Sequence, residues 1–417
     1  MSLVHQTKRD SARHFDRSLW LLVIAGGFSL FIAMGVGRFA YTPILPWMQS
    51  EMHFSNAMAG YLAAGNYFGY LVGAVLAGSV PWIRRRRLLG WRISVLLSIV
   101  TTGLMAAAAN PWAWFCLRTL SGIASGLVFV LAASMVLDIL AKHDRPKLSG
   151  MMYGGVGGGI AASGWLVPVL ARHFGWRGTW VGLMGITVIV GAAAVLWMRE
   201  EPVASNPSRA GDRPRVSMGQ RADQSGYFPW LMAAYGCEGL GYIITGTFLV
   251  AMATRLPALH GFASYCWVLV GLAALPSAAV WSYFGGRVGE VSTLVTAYLL
   301  QAAGVLLTVL VPNAIGVYLG SILFGGTFMG ITTLGTMLGR ELRPQDSSKA
   351  IGVMTVIYGI GQIVGAGAAG ALANRSGGFE LPTLAAAGVL VIGAGLLVLG
   401  RRARIPLVTM SRQSKHG

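Results

Sequence analysis

The sequence contains few charged side chains, and acidic ones are the scarcest of all. Only 11% of its 417 residues are charged, and Asp and Glu together supply 14 of them. A soluble domain of average composition carries about a quarter charged residues, so the composition excludes an ordinary soluble globular protein. The net charge of +18 would suggest nucleic-acid binding in a soluble protein, but the positions of the basic residues, described below, give it another meaning.

Residues that build disulfides, metal centres and phosphate sites are also scarce. The three cysteines, Cys116, Cys237 and Cys266, all fall in apolar segments, so we expect no disulfide. The seven histidines lie in tails or near the ends of apolar segments, without metal-ligand spacing. GxxxxGK[ST] does not occur, which argues against an ATP-driven pump, and GVGRFA (35–40) matches a dinucleotide fingerprint only in its letters, since no strand precedes it. We therefore expect no enzyme activity, no cofactor and no metal.

Long apolar runs dominate the chain. Hydrophobic residues make up 55% of it, and the mean hydropathy is +0.63. Runs of about 20 apolar residues match a helix that crosses a bilayer. Twelve runs can be marked, at approximately 19–47, 56–80, 88–109, 112–139, 148–170, 176–198, 228–254, 263–284, 291–311, 314–338, 350–373 and 381–400.

A polar stretch at 199–227, rich in proline and arginine, divides these runs into two groups of six. We therefore expect an all-α membrane protein with twelve transmembrane helices in two pseudo-symmetric six-helix bundles. The expected parts are a tail at 1–18, bundles at 19–198 and 228–400 joined by the 199–227 linker, and a tail at 401–417.

The basic residues are distributed very unequally between the two sides of this arrangement. With the N-terminus inside, the inside segments carry 26 Lys and Arg and the outside loops carry 4. Because cytoplasmic loops are enriched in Lys and Arg, this predicts an inner-membrane protein with both termini in the cytoplasm. The basic balance is then a topology signal and an attraction for anionic lipid, so we expect lipid and no nucleic acid as a partner.

The two halves repeat at a shift of 204 residues. Three separate pairs of segments match at this one shift: GVGRF at Gly35 with GLGYI at Gly239, AGYL at Ala59 with ASYC at Ala263, and SGIASG at Ser121 with GGTFMG at Gly325. Both copies start on the same predicted side of the membrane, so the repeat is parallel. Two six-helix halves in parallel repeat are typical of the major facilitator superfamily.

Several motifs resemble that superfamily in detail. RTLSGIASG (118–126) resembles its fourth-helix motif, and GSVPWIRRRRLLG (78–90) occupies the place of its basic loop motif but lacks the acidic residue. YGGVGGGIAASG (153–164) is rich in glycine like the fifth-helix antiporter motif but has no Gly-Pro pair. GVGRFAYTPILPWM, AGNYFGYLVGA and GLGYIITGTFLVA resemble the YbfB/YjiJ-type branch. The resemblance covers nearly the whole chain and implies a twelve-helix inner-membrane transporter, without naming a cargo.

Three full charges lie well inside predicted spans: Arg38, Arg118 and Glu238. Each costs about 2.5–3.5 kcal/mol at a helix centre, so each should face a cavity or a partner. We expect the two arginines to bind substrate and Glu238, whose charged form burial disfavours, to carry a proton. The alternatives are an outward-reaching Arg38, an interfacial anchor at Arg118 and a structural hydrogen bond at Glu238.

Uncharged candidates for substrate binding share helix faces within the predicted spans. They are Tyr41, Asn66, Tyr70, Tyr242, Tyr358 and Gln362. Each is about as compatible with helix packing as with a ligand contact. At the predicted cytoplasmic ends, Asp138 and Arg84 are the candidate gating residues.

Two arginines against one carboxyl favour a net positive site. The sequence therefore favours a secondary transporter, acting as a monomer, that moves a small organic anion or a carboxylate-bearing compound by alternating access coupled to protons. Proton-coupled efflux of hydrophobic drug-like compounds is the alternative within the same class. A membrane sensor or scaffold on a transporter fold is the alternative from another class.

Overall fold

The structure is a computed structural model, and it describes residues 18–145, 148–200, 226–259 and 261–401. The predictions for the two tails and for residues 201–225 of the linker lie outside these ranges.

Twelve long helices, α1 to α12, account for most of the described residues. Ser149–Trp197 forms one long element that Gly175 interrupts with a φ of 64°, so it contributes two of them. The helices are α1 Ser18–Met52, α2 Asn56–Ser79, α3 Arg87–Ala107, α4 Pro111–Lys142, α5 149–174, α6 176–197, α7 Phe228–Ala253, α8 Tyr265–Val288, α9 Glu290–Leu310, α10 Ala314–Leu342, α11 Ser347–Ser376 and α12 Glu380–Gly400. The predicted fold class is confirmed.

Their length and composition suit a membrane. Ten stretches of the described residues are long and apolar enough to cross one, and Ser149–Trp197 counts among them as a single stretch. The helix α2 is long enough but less apolar, because it contains Asn66 and several glycines and tyrosines. Large apolar side chains face outwards, among them Leu196 and Ile189, which are 79% and 73% exposed. Such a surface suits lipid rather than water.

The halves α1–α6 and α7–α12 meet along two equivalent seams. The helix α2 packs against α11, and α5 packs against α8. The repeat relates α2 to α8 and α5 to α11, so the two seams are copies of one contact. Close approach requires glycine at both: a Cβ on Gly60 would lie 3.0 Å from the Cα of Gly370, and one on Gly157 would lie 2.7 Å from the carbonyl oxygen of Gly271.

Candidate functional site

A cavity of about 400 Å³ lies between the two halves. Its wall is formed by α1, α2, α4 and α5 from one half and by α7, α10 and α11 from the other. It extends from Arg38 in the middle of α1 to the exposed Arg340 near the end of α10. We call the end of the protein marked by Arg87 and Arg340 the basic end, and the end marked by Asn110 and Gly261 the opposite end. The cavity therefore opens towards the basic end.

Five of the eight predicted substrate-binding residues line this cavity. They are Arg38, Tyr70, Tyr242, Tyr358 and Gln362. The other three, Tyr41, Asn66 and Arg118, are not part of the wall, and the structure gives them a shared position elsewhere.

Arg38 is enclosed by aromatic side chains. Its guanidinium carbon lies 4.7 Å from the centre of the Tyr67 ring and 4.5 Å from that of Tyr70. One guanidinium nitrogen donates to the Tyr242 hydroxyl at 3.3 Å, while Nε has no hydrogen-bond partner. A cation over such ring faces gains about 2 kcal/mol when it is desolvated. Arg38 forms no ion pair within the described ranges, so the guanidinium retains the capacity to bind an anion.

The main chain around Arg38 is not regular α-helix. Residues Phe31–Val36 form a π-helical segment, in which Gly37 donates to the Ile32 carbonyl at 2.8 Å. A turn at 37–40 follows before regular helix resumes at Tyr41. Such a bulge shifts the hydrogen-bond ladder and leaves carbonyls that need other donors, and it occurs frequently at functional sites.

Side chains on one face of α4 supply those donors. Arg118 donates to the carbonyls of Gly37 at 2.9 Å and of Arg38 at 3.1 Å. Ser121 donates to the Gly37 carbonyl at 3.0 Å, and Ser125 donates to the carbonyl of Ala33. Residues three and four apart share a helix face, so this part of the fourth-helix motif forms a single ladder along α1.

The prediction of a second cavity cation at Arg118 is therefore corrected. Arg118 is buried, and main-chain carbonyls occupy its two terminal nitrogens. Tyr41 packs its ring 4.7 Å from the Arg118 guanidinium carbon, and the Asn66 amide donates to the Arg118 carbonyl at 2.9 Å. Arg118, Tyr41 and Asn66 therefore lie in the packing contacts between α1, α2 and α4, and this is why they do not line the cavity.

Residues at equivalent repeat positions touch each other where the halves meet. Arg38 and Tyr242 are hydrogen-bonded and differ by 204 in number. Thr42 donates to the Gly246 carbonyl at 2.6 Å, and these two residues also differ by 204. The Tyr67 hydroxyl lies 3.0 Å from that of Thr247. These contacts join the halves on the side of Arg38 that faces the opposite end.

An aromatic stack forms the wall beside Arg38. Tyr242 and Phe328 stack with centres 5.8 Å apart and an angle of 5° between the rings. Tyr358 stacks on Tyr242 at 5.6 Å, and the Gln362 amide donates to the Tyr242 hydroxyl at 2.5 Å. Sequence reasoning missed Phe328, because nothing in its neighbourhood distinguishes it from a lipid-facing or core phenylalanine.

Glu238 lies behind this wall rather than on it. It is fully buried, and neither carboxyl oxygen has a hydrogen bond of good geometry. The Gln301 amide on α9 interacts with the carboxyl, but its own polar atoms also lack well-aligned partners. A buried carboxyl without a cation favours its protonated form.

The charges at the basic end pair among the first half and the start of the linker. Arg87, at the start of α3, contacts Asp138 at 2.6 Å and Glu200 at 2.9 Å. Arg84 is exposed on the short helix Pro81–Arg85 and takes no part in these pairs. Of the two predicted gating residues, Asp138 pairs with Arg87, and Arg84 does not join it; a gating role for Asp138 or Arg84 stays a prediction. Arg87 and Asp138 belong to the first half and Glu200 to the first residues of the linker, so these pairs do not reach the second half. A run of four arginines gives no signal for which one points towards Asp138.

Comparison with known proteins gives a consistent result. A family model described as "Uncharacterised MFS-type transporter YbfB" matches residues 30–398. A gentisate transporter of Corynebacterium glutamicum is 26% identical over 316 residues, which cover 73% of this chain and 68% of that protein. A gallate transporter of Pseudomonas putida is 27% identical over 182 residues, which cover 43% of this chain and 37% of that protein. The crystal structure of the nucleoside transporter NupG superimposes with a TM-score of 0.66 at 16% identity, over 92% of this chain and 99% of that one, which shows a shared fold.

Proposed function

We propose a substrate class from two premises: this chain belongs to the YbfB-type family of major facilitator superfamily transporters, and its cavity carries an uncompensated cation. The proposed substrate is a small aromatic carboxylate, moved by alternating access and coupled to protons. Such a protein is a carrier rather than an enzyme.

The observation that carries this proposal is the charge of the cavity wall. Its charged members among the described residues are Arg38 and Arg340, and none is acidic. Guanidinium binds carboxylate through two parallel hydrogen bonds, which are stronger than bonds between neutral groups. The Nε of Arg38 is buried without a partner, so a carboxylate there would also satisfy an orphaned donor. The exposed Arg340 at the mouth would raise the local concentration of anions.

The aromatic part of the proposal is supported by the stack beside Arg38. The rings of Tyr242, Phe328 and Tyr358 line the cavity and stack on one another beside the guanidinium, so this part of the wall consists of apolar ring faces and edges. Offset stacking of a substrate ring on such faces contributes about 0.5–1.5 kcal/mol beyond its burial. Two relatives carry the names of aromatic acids, gentisate and gallate, although the second match spans only about a third of that protein.

Benzoate binding to the purified protein tests this proposal. Binding to the folded state raises apparent thermal stability by mass action, so a thermal-shift titration gives a Kd. Arg38→Gln should weaken benzoate binding by at least about 30-fold, because a charge-assisted bidentate contact is lost. Arg177→Gln, an exposed arginine outside the cavity, removes the same charge and should leave the Kd unchanged. Equal Kd values for wild type and Arg38→Gln would contradict the carboxylate site.

A second candidate function is efflux of apolar compounds, which the largely apolar and aromatic cavity wall favours. Benzamide separates the two candidates, since it keeps the ring and shape of benzoate without its charge. An anion carrier should bind benzoate much more tightly than benzamide. Equal binding of the two, unaffected by Arg38→Gln, would favour apolar efflux.

Proton coupling is proposed for Glu238. Its side chain is fully buried behind the cavity wall, and its neighbour there is Gln301 rather than a cation. The environment thus favours a bound proton in this state, and a change in the packing of α7 against α9 would alter that preference. Alternating exposure of such a carboxyl to the two sides couples proton movement to cargo movement.

The same proposal places the basic end and both termini in the cytoplasm of an inner membrane. The distribution of Lys and Arg supports this orientation. Single cysteines test it in a cysteine-free background: Asn110→Cys should react with an impermeant reagent in intact cells, and Asp346→Cys should react only after permeabilisation. The reverse pattern would contradict it. We further propose that the chain acts as a monomer surrounded by lipid, because one chain supplies the whole cavity wall.

A further inference from the structure

The Ser and Thr side chains on the cavity wall share one hydrogen-bond arrangement. Each hydroxyl donates to a main-chain carbonyl three or four residues earlier in its own helix, at distances of 2.6 to 2.9 Å. A carbonyl oxygen can only accept, so the hydroxyl must be the donor and its proton is already used. The hydroxyls therefore present lone pairs to the cavity. We call this set the acceptor wall: Ser134, Thr332, Thr333, Thr336 and Thr355.

The acceptor wall lies between Arg38 and the mouth. Three of its members are on α10, where Thr332 and Thr336 follow Phe328 by four and eight residues on one face. At 1.5 Å per residue they lie about 6 Å and 12 Å beyond Phe328 along the helix. Phe328 stacks on Tyr242, whose hydroxyl accepts from Arg38. One end of the cavity thus contains the Arg38 cation. The hydroxyl acceptors begin farther along the cavity, at a distance from Arg38 comparable to the length of a substituted benzene ring.

Cavity architecture alone does not require these hydroxyls. On α4 the cavity wall is mostly apolar, with Phe129, Val130, Ala133 and Leu137, and it carries a single hydroxyl, that of Ser134. Nor are the threonines consumed in helix packing, since Thr332, Thr333 and Thr336 are only half-buried. Turning a threonine proton towards a ligand would break its bond to the helix carbonyl, so accepting is the less costly mode of contact.

We propose that the acceptor wall selects substrates that carry a hydrogen-bond donor, such as a phenolic hydroxyl, on the side of the ring opposite the carboxylate. This rests on the proposed function, because it assumes a carboxylate held at Arg38. Thr332 and Thr336 are the specificity-determining residues. A ring hydroxyl donates to their lone pairs, whereas a methoxy group at the same place brings only another acceptor.

Three acids of one series test this: benzoate, 4-hydroxybenzoate and 4-methoxybenzoate, each titrated against the full chain. The wild type should bind the hydroxy acid about fivefold more tightly than benzoate, which corresponds to one neutral hydrogen bond. It should bind the methoxy acid no better than benzoate. In the double variant Thr332→Val and Thr336→Val, the ratio of the benzoate Kd to the 4-hydroxybenzoate Kd should fall from about five to near one.

Two controls accompany the double variant. Thr327→Val removes the same intrahelical bond on the same helix, to the Leu323 carbonyl, at a position that is not part of the cavity wall. Its Kd ratio should equal that of the wild type. Replacing both wall threonines by serine keeps the hydroxyls and should also keep the ratio.

The outcomes separate this inference from the function on which it rests. Binding of benzoate with no preference for the hydroxy acid overturns the acceptor wall and leaves the carboxylate site standing. A preference that survives the double valine variant also overturns it. Failure of all three acids to bind the wild type overturns the proposed function and this inference together.

Discussion

The two halves share a repeat but treat their first helix differently. The helix α1 contains the π-helical segment Phe31–Val36 and the turn that follows it, whereas α7 runs as continuous α-helix over Phe228–Ala253. Where α1 is irregular, α4 presents Arg118, Ser121 and Ser125 to its carbonyls. The shift of 204 places Ile322, Gly325 and Met329 at these positions of α10. The polar face therefore exists only where the neighbouring helix needs donors.

The cavity-facing side of these two helices shows the opposite difference. There α10 carries Thr332, Thr333 and Thr336, while α4 is mostly apolar. The buried carboxyl Glu238 also belongs to the second half, and its counterpart in the first is Met34. The first half thus provides the cation, Arg38, and donors to the main chain around it. The second half provides most of the hydroxyls, a stack of aromatic rings and the carboxyl of Glu238. Duplicated halves have divided the polar groups between them.

The largest expected effect comes from removing the support of α1. Arg118→Met keeps much of the side-chain volume but leaves the carbonyls of Gly37 and Arg38 without their charged donor. Bonds to charged groups contribute about 1.5–3 kcal/mol each, so we expect a loss of roughly 3 kcal/mol or more in stability. Thermal unfolding in detergent measures it, with Arg84→Met as the control, because Arg84 is exposed and takes no part in the ion pairs at the basic end. An Arg118→Met protein as stable as the control would show that α1 does not depend on this ladder.

The next effect tests whether the carboxyl of the second half serves coupling. Glu238→Gln mimics the protonated form, so it should retain counterflow of substrate in proteoliposomes but lose accumulation driven by a pH gradient. Uptake with and without an imposed gradient gives the comparison. Glu341→Gln, at the basic end of α10, should accumulate substrate normally. Gradient-driven accumulation by Glu238→Gln would place the proton site elsewhere.

The smallest effect concerns the contact between the halves. Tyr242→Phe keeps the stacked ring but removes the hydroxyl that accepts from Arg38 and Gln362. We expect benzoate binding to weaken about fivefold, the equivalent of one hydrogen bond near the site. Tyr318→Phe is the matched control, because the Tyr318 hydroxyl donates to the Phe262 carbonyl at the opposite end, away from the cavity. A Kd unchanged by Tyr242→Phe would mean that Arg38 is positioned by its ring contacts alone.

The sequence predicted the fold well because membrane helices can be recognised from the length and the apolar composition of a segment. It placed Arg38 and Tyr242 at related positions, which the structure brings into contact. It could not place Arg118, because the partners of that guanidinium are main-chain carbonyls freed by a π-helical segment. Every residue has such a carbonyl, so the amino-acid types do not show which ones lack a partner. Nor could it identify Thr332, whose relevance depends on which face of α10 borders the cavity.

The contact between Arg38 and Tyr242 has a consequence for the origin of the protein. Two residues that differ by 204 in number lie at equal distances from the pseudo-twofold axis that relates the halves. If two such residues touch each other, both must lie next to this axis. In an ancestor built from two identical six-helix subunits, the same amino acid would meet itself here. Two buried arginines without an anion would repel each other strongly. A lone cation at this central position therefore requires the two copies to carry different residues there, as Arg38 and Tyr242 do.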